Sequence, residues 1–248
     1  MSTLRADLQI APQELYTSSS TQGAQLGSLA TTGDGRYFRY ALAGATSLVA
    51  GQVYCGQSNS NANWNPSGGL AVGAATATGA TQFNLNSSIT LSANDLAGGV
   101  MSVVVTPGIG QTYKVKSNTA VAGATGCTIV LEDPLVTNLS TASRVVFYPN
   151  PYASVVVLGT TALGPVVGVA VYPVTNAQYG WLQTRGPAGV YIQAASGTPA
   201  PGFPVGVNLA NTTGALSTAT GFAFFTALGT LCATGVSGEY DIVNLNID

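Results

Sequence analysis

The sequence contains no histidine, and only 6% of its residues carry a charge. The missing imidazole excludes Ser-His-Asp and Cys-His catalysis, histidine metal sites and the usual proton carrier near neutral pH. Seven basic and nine acidic residues give a formal net charge of -2. Because phosphate binding needs clustered cations, we expect no nucleic acid partner.

Cysteine is scarce as well. Cys55, Cys127 and Cys232 lie far apart and form no Cys-x-x-Cys pair, which argues against a zinc site, and their odd number argues against a disulfide framework. We therefore expect all three to be small buried apolar side chains. The chain also lacks nucleotide-binding and metal-binding motifs, so we predict neither a cofactor nor a metal.

Long apolar runs are missing too. No stretch of 18 apolar residues occurs, and the first residues show no apolar segment of a secretory signal, so we expect no membrane span and no signal peptide. The mean hydropathy is nevertheless high, at +0.32. A surface with so few charges suits a free monomer poorly. We therefore predict a homo-oligomer, in first place a homotrimer.

The sequence does contain many short β-prone segments separated by residues that end strands. Short runs of Val, Thr and Tyr separated by Gly, Pro, Asn or Ser predict an all-β fold, a sandwich or barrel-like arrangement of antiparallel sheets. Gly33-Asp34-Gly35 predicts a hairpin between residues 30–32 and 37–40. Further strands are predicted over 47–54, 82–86, 99–106, 112–117, 128–131, 144–148, 154–158, 166–172, 179–184, 189–193, 221–226 and 239–247.

The chain divides into two regions at the sequence level. Residues 1–30 have little to bury and predict an extended N-terminal arm that orders against a neighbour. Residues 31–248 predict a β-rich domain. Pro149 and Pro151 cannot both lie in a central ladder. They mark a division near 149–151, either between two lobes or only between two sheets.

Cations and aromatic rings occur together at two places, and a tryptophan lies alone at a third. Arg and aromatic side chains are favoured as interface anchors, so these residues are the candidate interface. Trp64 lies in an Asn-rich loop without an obvious local core, which leaves open a carbohydrate platform there. The candidate interface residues are Arg36, Tyr37, Phe38, Arg39, Tyr40, Trp64, Trp181 and Arg185.

Two carboxylate pairs could in principle hydrolyse a glycoside. Glu132 and Asp133 are adjacent, so on a strand they would point to opposite faces. Glu239 and Asp241 share a face, but an exposed strand edge explains them better than a catalytic pair. We therefore predict no catalytic residues and a protein that is not an enzyme.

Several phrases resemble virion proteins of tailed bacteriophages. The longest is Arg36-Tyr-Phe-Arg-Tyr-Ala-Leu-Ala-Gly-Ala-Thr-Ser-Leu-Val-Ala-Gly-Gln-Val-Tyr54. Others are Gly98-Gly-Val-Met-Ser-Val-Val-Val, Gly110-Gln-Thr-Tyr-Lys-Val-Lys-Ser-Asn-Thr119, Leu131-Glu-Asp-Pro-Leu135 and Tyr179-Gly-Trp-Leu-Gln-Thr184. Together they lie within residues 30 to 190.

The resemblance implies a capsid decoration (cement) protein or another head-surface protein. Proteins of that type are β-rich and often trimeric. The implied partner is the major capsid protein, and the implied location is the capsid exterior of a virion, after synthesis in the host cytoplasm. The alternative is a receptor-binding or glycan-binding module of a phage fibre or tail, which the loop of Trp64 favours. The phrases define no active site, so no functional residue is carried over.

Overall fold

The computed structural model describes residues 8–56, 61–159, 164–193, 200–207, 214–217 and 227–248. Strands make up nearly all of the regular secondary structure in these ranges, and the helical structure in them is one 3-10 helix, Pro12–Tyr16. This confirms the predicted all-β fold with barrel-like antiparallel sheets. The predicted strand at 221–226 and residues 1–7 of the predicted arm lie outside the described residues.

The chain forms two compact units. The first unit comprises residues 1–57 and 151–248, and the second comprises residues 58–150. One crossing between the units falls between Asn150 and Pro151, within the proline pair that the sequence singles out. The other crossing, between Gln57 and Ser58, has no comparable signal in the sequence.

The strands are numbered in chain order. The first unit begins with β1 (Leu8–Gln9), β2 (Leu29–Thr31), β3 (Tyr37–Leu42) and β4 (Val53–Cys55). The second unit contains β5 (Leu70–Ala71), β6 (Gln82–Asn84), β7 (Ile89–Leu91), β8 (Val100–Val105), β9 (Thr112–Asn118), β10 (Val121–Ala124), β11 (Thr128–Leu131) and β12 (Arg144–Tyr148). The first unit resumes with β13 (Val156–Val157), β14 (Val166–Ala170), β15 (Tyr179–Ile192), β16 (Pro204–Val207), β17 (Leu216–Ser217), β18 (Ala227–Leu231) and β19 (Glu239–Asn246).

Six strands of the second unit form a curled, barrel-like antiparallel sheet, which we call the barrel. Their order is β5-β12-β8-β9-β11-β6. The two end strands meet through a bridge between Val72 and Leu85, where the Gly73 N–H donates to the Asn84 carbonyl at 2.7 Å. This bridge brings the two ends of the curled sheet together. The core of the barrel includes Met101, Val103, Val115, Ile129 and Val145, all almost fully buried.

The long strand β15 organises the first unit. Its first half pairs with β3 and β14, and its second half pairs with β19. The pairings β15-β17-β16-β18-β19 return to β15 and enclose a core that includes Val190, Ile192, Val205 and Val243. On the other half, β3, β15, β14, β4 and β13 pair in sequence, and a bridge from Val155 to Ala43 joins β13 to the end of β3.

Strand β15 differs from the sequence prediction, which has two strands separated at Gly186-Pro187. The chain continues as a single strand because its pairing changes there: β3 stops at the Arg185–Tyr37 pair, and β19 pairs from Arg185 onward. At Pro187 one side of β15 has no strand partner among the described residues, so the missing N–H leaves no ladder bond unmade.

The segment over 8–30, expected as an arm reaching a neighbour, lies on its own unit. Strand β1 pairs with β2, and Ser19 forms a bridge with Tyr179. Ile10 and Leu15 are 6% and 1% exposed and pack against the outer face of β3 and β15. These two apolar side chains give the segment a core contact that its polar composition does not suggest.

Of two local predictions, the hairpin is confirmed and the burial of all three cysteines is not. The predicted hairpin is confirmed, since β2 and β3 are antiparallel partners around Gly33-Asp34-Gly35. The prediction of three buried cysteines is wrong for Cys232, which is exposed, whereas Cys55 and Cys127 are buried. Cys232 directly follows the buried Leu231, and neighbouring residues of an extended chain point to opposite faces.

Candidate interaction surface

The aromatic rings of the predicted interface lie mainly in the core of the first unit. Phe38 is fully buried, and Tyr40 and Trp181 are 6% and 7% exposed. The Tyr40 and Trp181 rings lie 4.9 Å apart between centroids, and the Tyr179 ring stacks on Tyr40 at 5.8 Å. The segment over 8–30 covers this cluster. Phe38, Tyr40 and Trp181 therefore hold the unit together and do not anchor a partner at its surface.

The arginines of the predicted interface on β3 and β15 contact other groups of the first unit. The guanidinium of Arg39 donates to Asp248 Oδ2 at 2.9 Å and to the Gly27 carbonyl at 3.0 Å. Arg185 is exposed and lies over the Tyr37 ring, 5.6 Å from its centroid. Arg39 already has a carboxylate partner within its own chain, which reduces its value as an anchor for another protein.

Arg36 is paired in the same way. Its Nε donates to Asp34 Oδ2 at 2.8 Å. Thr32 Oγ1 donates to Asp34 Oδ1 at 2.5 Å, and this contact, followed by those from Arg36, lowers the pKa of Asp34 to about 2. The turn Gly33-Asp34-Gly35 thus holds an ionised carboxylate against the cation that follows it.

Trp64 lies in the core of the second unit. It is 9% exposed and packs with the barrel residues. Its carbonyl accepts a hydrogen bond from the Phe147 N–H at 2.8 Å, and its indole Nε1 is buried without a hydrogen-bond partner among the described residues. The ring is not available as a platform for a carbohydrate, because it is buried in the core of the second unit.

The surface feature that sequence reasoning missed is an exposed apolar patch on the second unit. Val136 is 68% exposed, Ile109 is 63% exposed and Val105 is 38% exposed. Val105 and Ile109 belong to the β8–β9 hairpin, and Val136 lies in the connection between β11 and β12. We call these three residues the apolar tip. Ile109 between two glycines was a usable signal, since turns favour polar residues.

Hydrogen bonds fix the two loops of the apolar tip to each other. Tyr113 Oη accepts the Val136 N–H at 3.1 Å and donates to Gln111 Oε1 at 2.6 Å. Gln111 Nε2 donates to Thr137 Oγ1 at 2.7 Å. Ser143 Oγ donates to the Pro107 carbonyl at 2.9 Å. The exposed aliphatic side chains are therefore carried on loops that are tied together before any partner binds.

The carboxylate pairs weighed in the sequence are not gathered into a cluster. Glu132 and Asp133 are exposed in the bend after β11, Glu239 is exposed and Asp241 is half-buried on β19. Within the described ranges, no group of three or more Cys, Asp or Glu side chains is placed to hold a metal ion. In the same ranges no helix is long and apolar enough to cross a membrane.

Comparisons with known proteins add no relative. No family model, no curated protein and no solved structure matches the chain.

Proposed function

We propose that this chain is a non-enzymatic virion protein that binds the outer surface of a tailed-phage capsid and stabilises the shell. The major capsid protein is its partner, and the capsid exterior is its location. The observation that carries the proposal is the apolar tip, in which Val105, Ile109 and Val136 are exposed on loops fixed by hydrogen bonds. The phage-like phrases in the sequence support the same assignment.

The tip can supply binding energy without charges. Fully burying an aliphatic side chain of this size is worth about 1.5–3 kcal/mol. Because the loops are already ordered, little conformational entropy is lost on docking. A protein that binds the assembled shell and not its separated subunits stabilises the assembly by mass action. That is how a decoration protein reinforces a capsid without any chemical step.

Self-association as a homotrimer is part of the proposal. Its support is the low charge of the chain, in which 16 of 248 residues (6%) are charged, together with the positive mean hydropathy. Light scattering on the purified protein tests it directly. A trimer that assembles only on the particle would escape light scattering. Cross-linking on decorated particles therefore accompanies this measurement. Monomers in both experiments contradict the trimer.

The location is tested on purified particles of the phage whose genome encodes the chain. Mass spectrometry of washed virions should find the protein at a stoichiometry that matches a set of capsid positions. A density map of the particle should place it on the outside of the head. Absence from the particle, or density in the tail, contradicts the proposal.

The role of the apolar tip is tested with two surface substitutions. The double variant Ile109→Ser/Val136→Ser should bind stripped heads about 100-fold more weakly, since about 3 kcal/mol of apolar burial is lost. Val236→Ser is the matched control, because Val236 is 60% exposed on the first unit. It should bind as the unmodified protein does. Equal binding by all three proteins shows that another surface makes the contact.

A further inference from the structure

The first unit carries an open groove with two exposed tyrosine rings. Its volume is about 550 Å³, which lies in the range of ligand sites. Tyr240 is 57% exposed and Tyr16 is 49% exposed, in a molecule where most rings are buried or half-buried. The residues that line the groove include Tyr16, Arg36, Val49, Pro173, Gln183 and Tyr240.

The Tyr240 ring is fixed although it is exposed. It lies against the backbone of Gly51, where an added Cβ would be 2.5 Å from the ring. On another side it packs against the Tyr191 ring, with 5.3 Å between the centroids and a tilt of 55°. The ring therefore presents an apolar surface to the groove without having to be ordered by a ligand.

The polar groups of the groove are fixed as well. The Arg36 Nε donates to Asp34 Oδ2 at 2.8 Å. Gln183 is 1% exposed, and its Nε2 donates to the carbonyls of Arg185 at 3.0 Å and Pro187 at 2.9 Å. These two bonds fix the Gln183 side chain in the wall of the groove.

The charge and chemistry of the groove select a class of ligand. Among the described residues, Arg36 is the one charged residue that lines it, and Asp34 neutralises Arg36, so a strongly charged ligand gains little. Tyrosine combines a flat apolar face with a hydroxyl group. A pyranose ring needs this combination, because its C–H face is apolar and its edge is a belt of hydroxyl groups.

From this geometry we infer that the groove binds a neutral saccharide, with its rings against Tyr16 and Tyr240 and its hydroxyl groups bonded to Arg36. The inference goes beyond capsid binding and concerns a different surface from the apolar tip. It assigns glycan binding to the first unit and not to Trp64, whose ring is buried.

The experiment is a glycan array followed by calorimetry, with neutral hexose and N-acetylhexosamine oligosaccharides as probes. We expect the unmodified protein to bind at least one of them. Tyr240→Ala and Tyr16→Ala should each weaken that binding about tenfold or more, and Tyr240→Phe should retain most of it because the ring remains. Phe203→Ala is the control, since Phe203 is 43% exposed on the same unit outside the groove.

The possible results separate cleanly. Binding that both tyrosine-to-alanine variants lose and Phe203→Ala keeps, in proteins with unchanged melting temperatures, supports the site. No neutral glycan bound on the array overturns it, as does binding that the tyrosine variants leave unchanged. Binding restricted to sulfated or carboxylated glycans and abolished by salt also overturns it. The Ile109→Ser/Val136→Ser variant should bind the saccharide normally. Failure of the capsid proposal is therefore distinguishable from failure of the saccharide proposal.

Discussion

The ring of Tyr240 occupies the space that a side chain on residue 51 would need. Gly51 has a φ of +77°, and a Cβ there would lie 2.5 Å from one ring carbon of Tyr240 and 2.7 Å from the next. Glycine is thus required at this position for two reasons: the backbone conformation and the close approach of the ring. The two requirements can be measured separately.

We predict that Gly51→Ala destabilises the protein more than Gly33→Ala. Gly33 has the same φ of +77°, but nothing lies within 4 Å of an added Cβ. The left-handed backbone alone costs a residue with a Cβ about 1–2 kcal/mol. Gly51→Ala should cost at least about 1 kcal/mol more, because the Tyr240 ring must move. Urea unfolding of both variants gives the comparison, and equal losses contradict the packing described here.

The N-terminal segment gives a second prediction from two adjacent residues. Leu15 is 1% exposed in the aromatic core of the first unit, and Tyr16 is 49% exposed. Leu15→Ala should lower the free energy of unfolding by about 2–5 kcal/mol. Tyr16→Ala should change it by about 0.5 kcal/mol. A neutral Leu15→Ala variant would mean that residues 8–30 detach from the unit in solution.

The thiols give a third prediction. Burial raises the pKa of the Cys55 and Cys127 thiols, whereas Cys232 is exposed. Only one thiol per chain should therefore react quickly with an aromatic disulfide reagent in the native protein, and all three should react in urea. Cys232→Ser should remove the fast reaction. Fast labelling that persists in this variant contradicts the burial of the other two thiols.

The hairpin carboxylate gives a fourth prediction. The Thr32 hydroxyl and the Arg36 guanidinium lower the pKa of Asp34 from 3.8 to about 2. Because the folded pKa lies below the unfolded one, these contacts stabilise the fold above pH 3.8, and their contribution is lost as the pH falls toward 2. The effect is small, since Asp34 is half exposed. Carboxyl NMR should show the low midpoint, and Thr32→Ala should move it back toward 3.8.

Local patterns predicted most of the longer strands, because those patterns need only neighbouring residues, but they did not predict the short strands β1, β5, β7, β10, β16, β17 and β18. Val243 and Leu245 are buried on β19, while Asn244 and Asn246, which alternate with them, are exposed, as the sequence pattern indicates. The joining of two predicted strands into β15 was not predictable in this way. It depends on a change of partner from β3 to β19, and these strands are far from each other in the sequence.

The candidate interface was predicted poorly for the same physical reason. Residue type alone cannot distinguish an aromatic anchor at a surface from an aromatic core residue. Phe38, Tyr40 and Trp181 are buried because a polar-looking segment contributes Ile10 and Leu15 as a cover. Alternation along β3 does separate Phe38 and Tyr40 from Tyr37 and Arg39, but it cannot say which face is covered. Trp64 is buried through contacts with strands well beyond its own loop.

The proposed attachment to a capsid should resist salt. Screening weakens attractions between exposed charges, as the Debye length falls from about 10 Å at 0.1 M to about 3 Å at 1 M ionic strength. The apolar tip consists of Val105, Ile109 and Val136 and has no charge to screen. Apolar contacts are kept, and kosmotropic salts strengthen them.

The measurement is co-sedimentation of the protein with decorated heads from about 0.05 M to about 1 M NaCl. We expect the bound fraction to be unchanged across this range. Arg36→Ala/Arg39→Ala should also remain bound, because both guanidinium groups already pair with Asp34 and Asp248 in their own chain. A tenfold loss of affinity in high salt, reproduced by that double variant in low salt, would show that these two arginines exchange their internal partners for carboxylates on the shell.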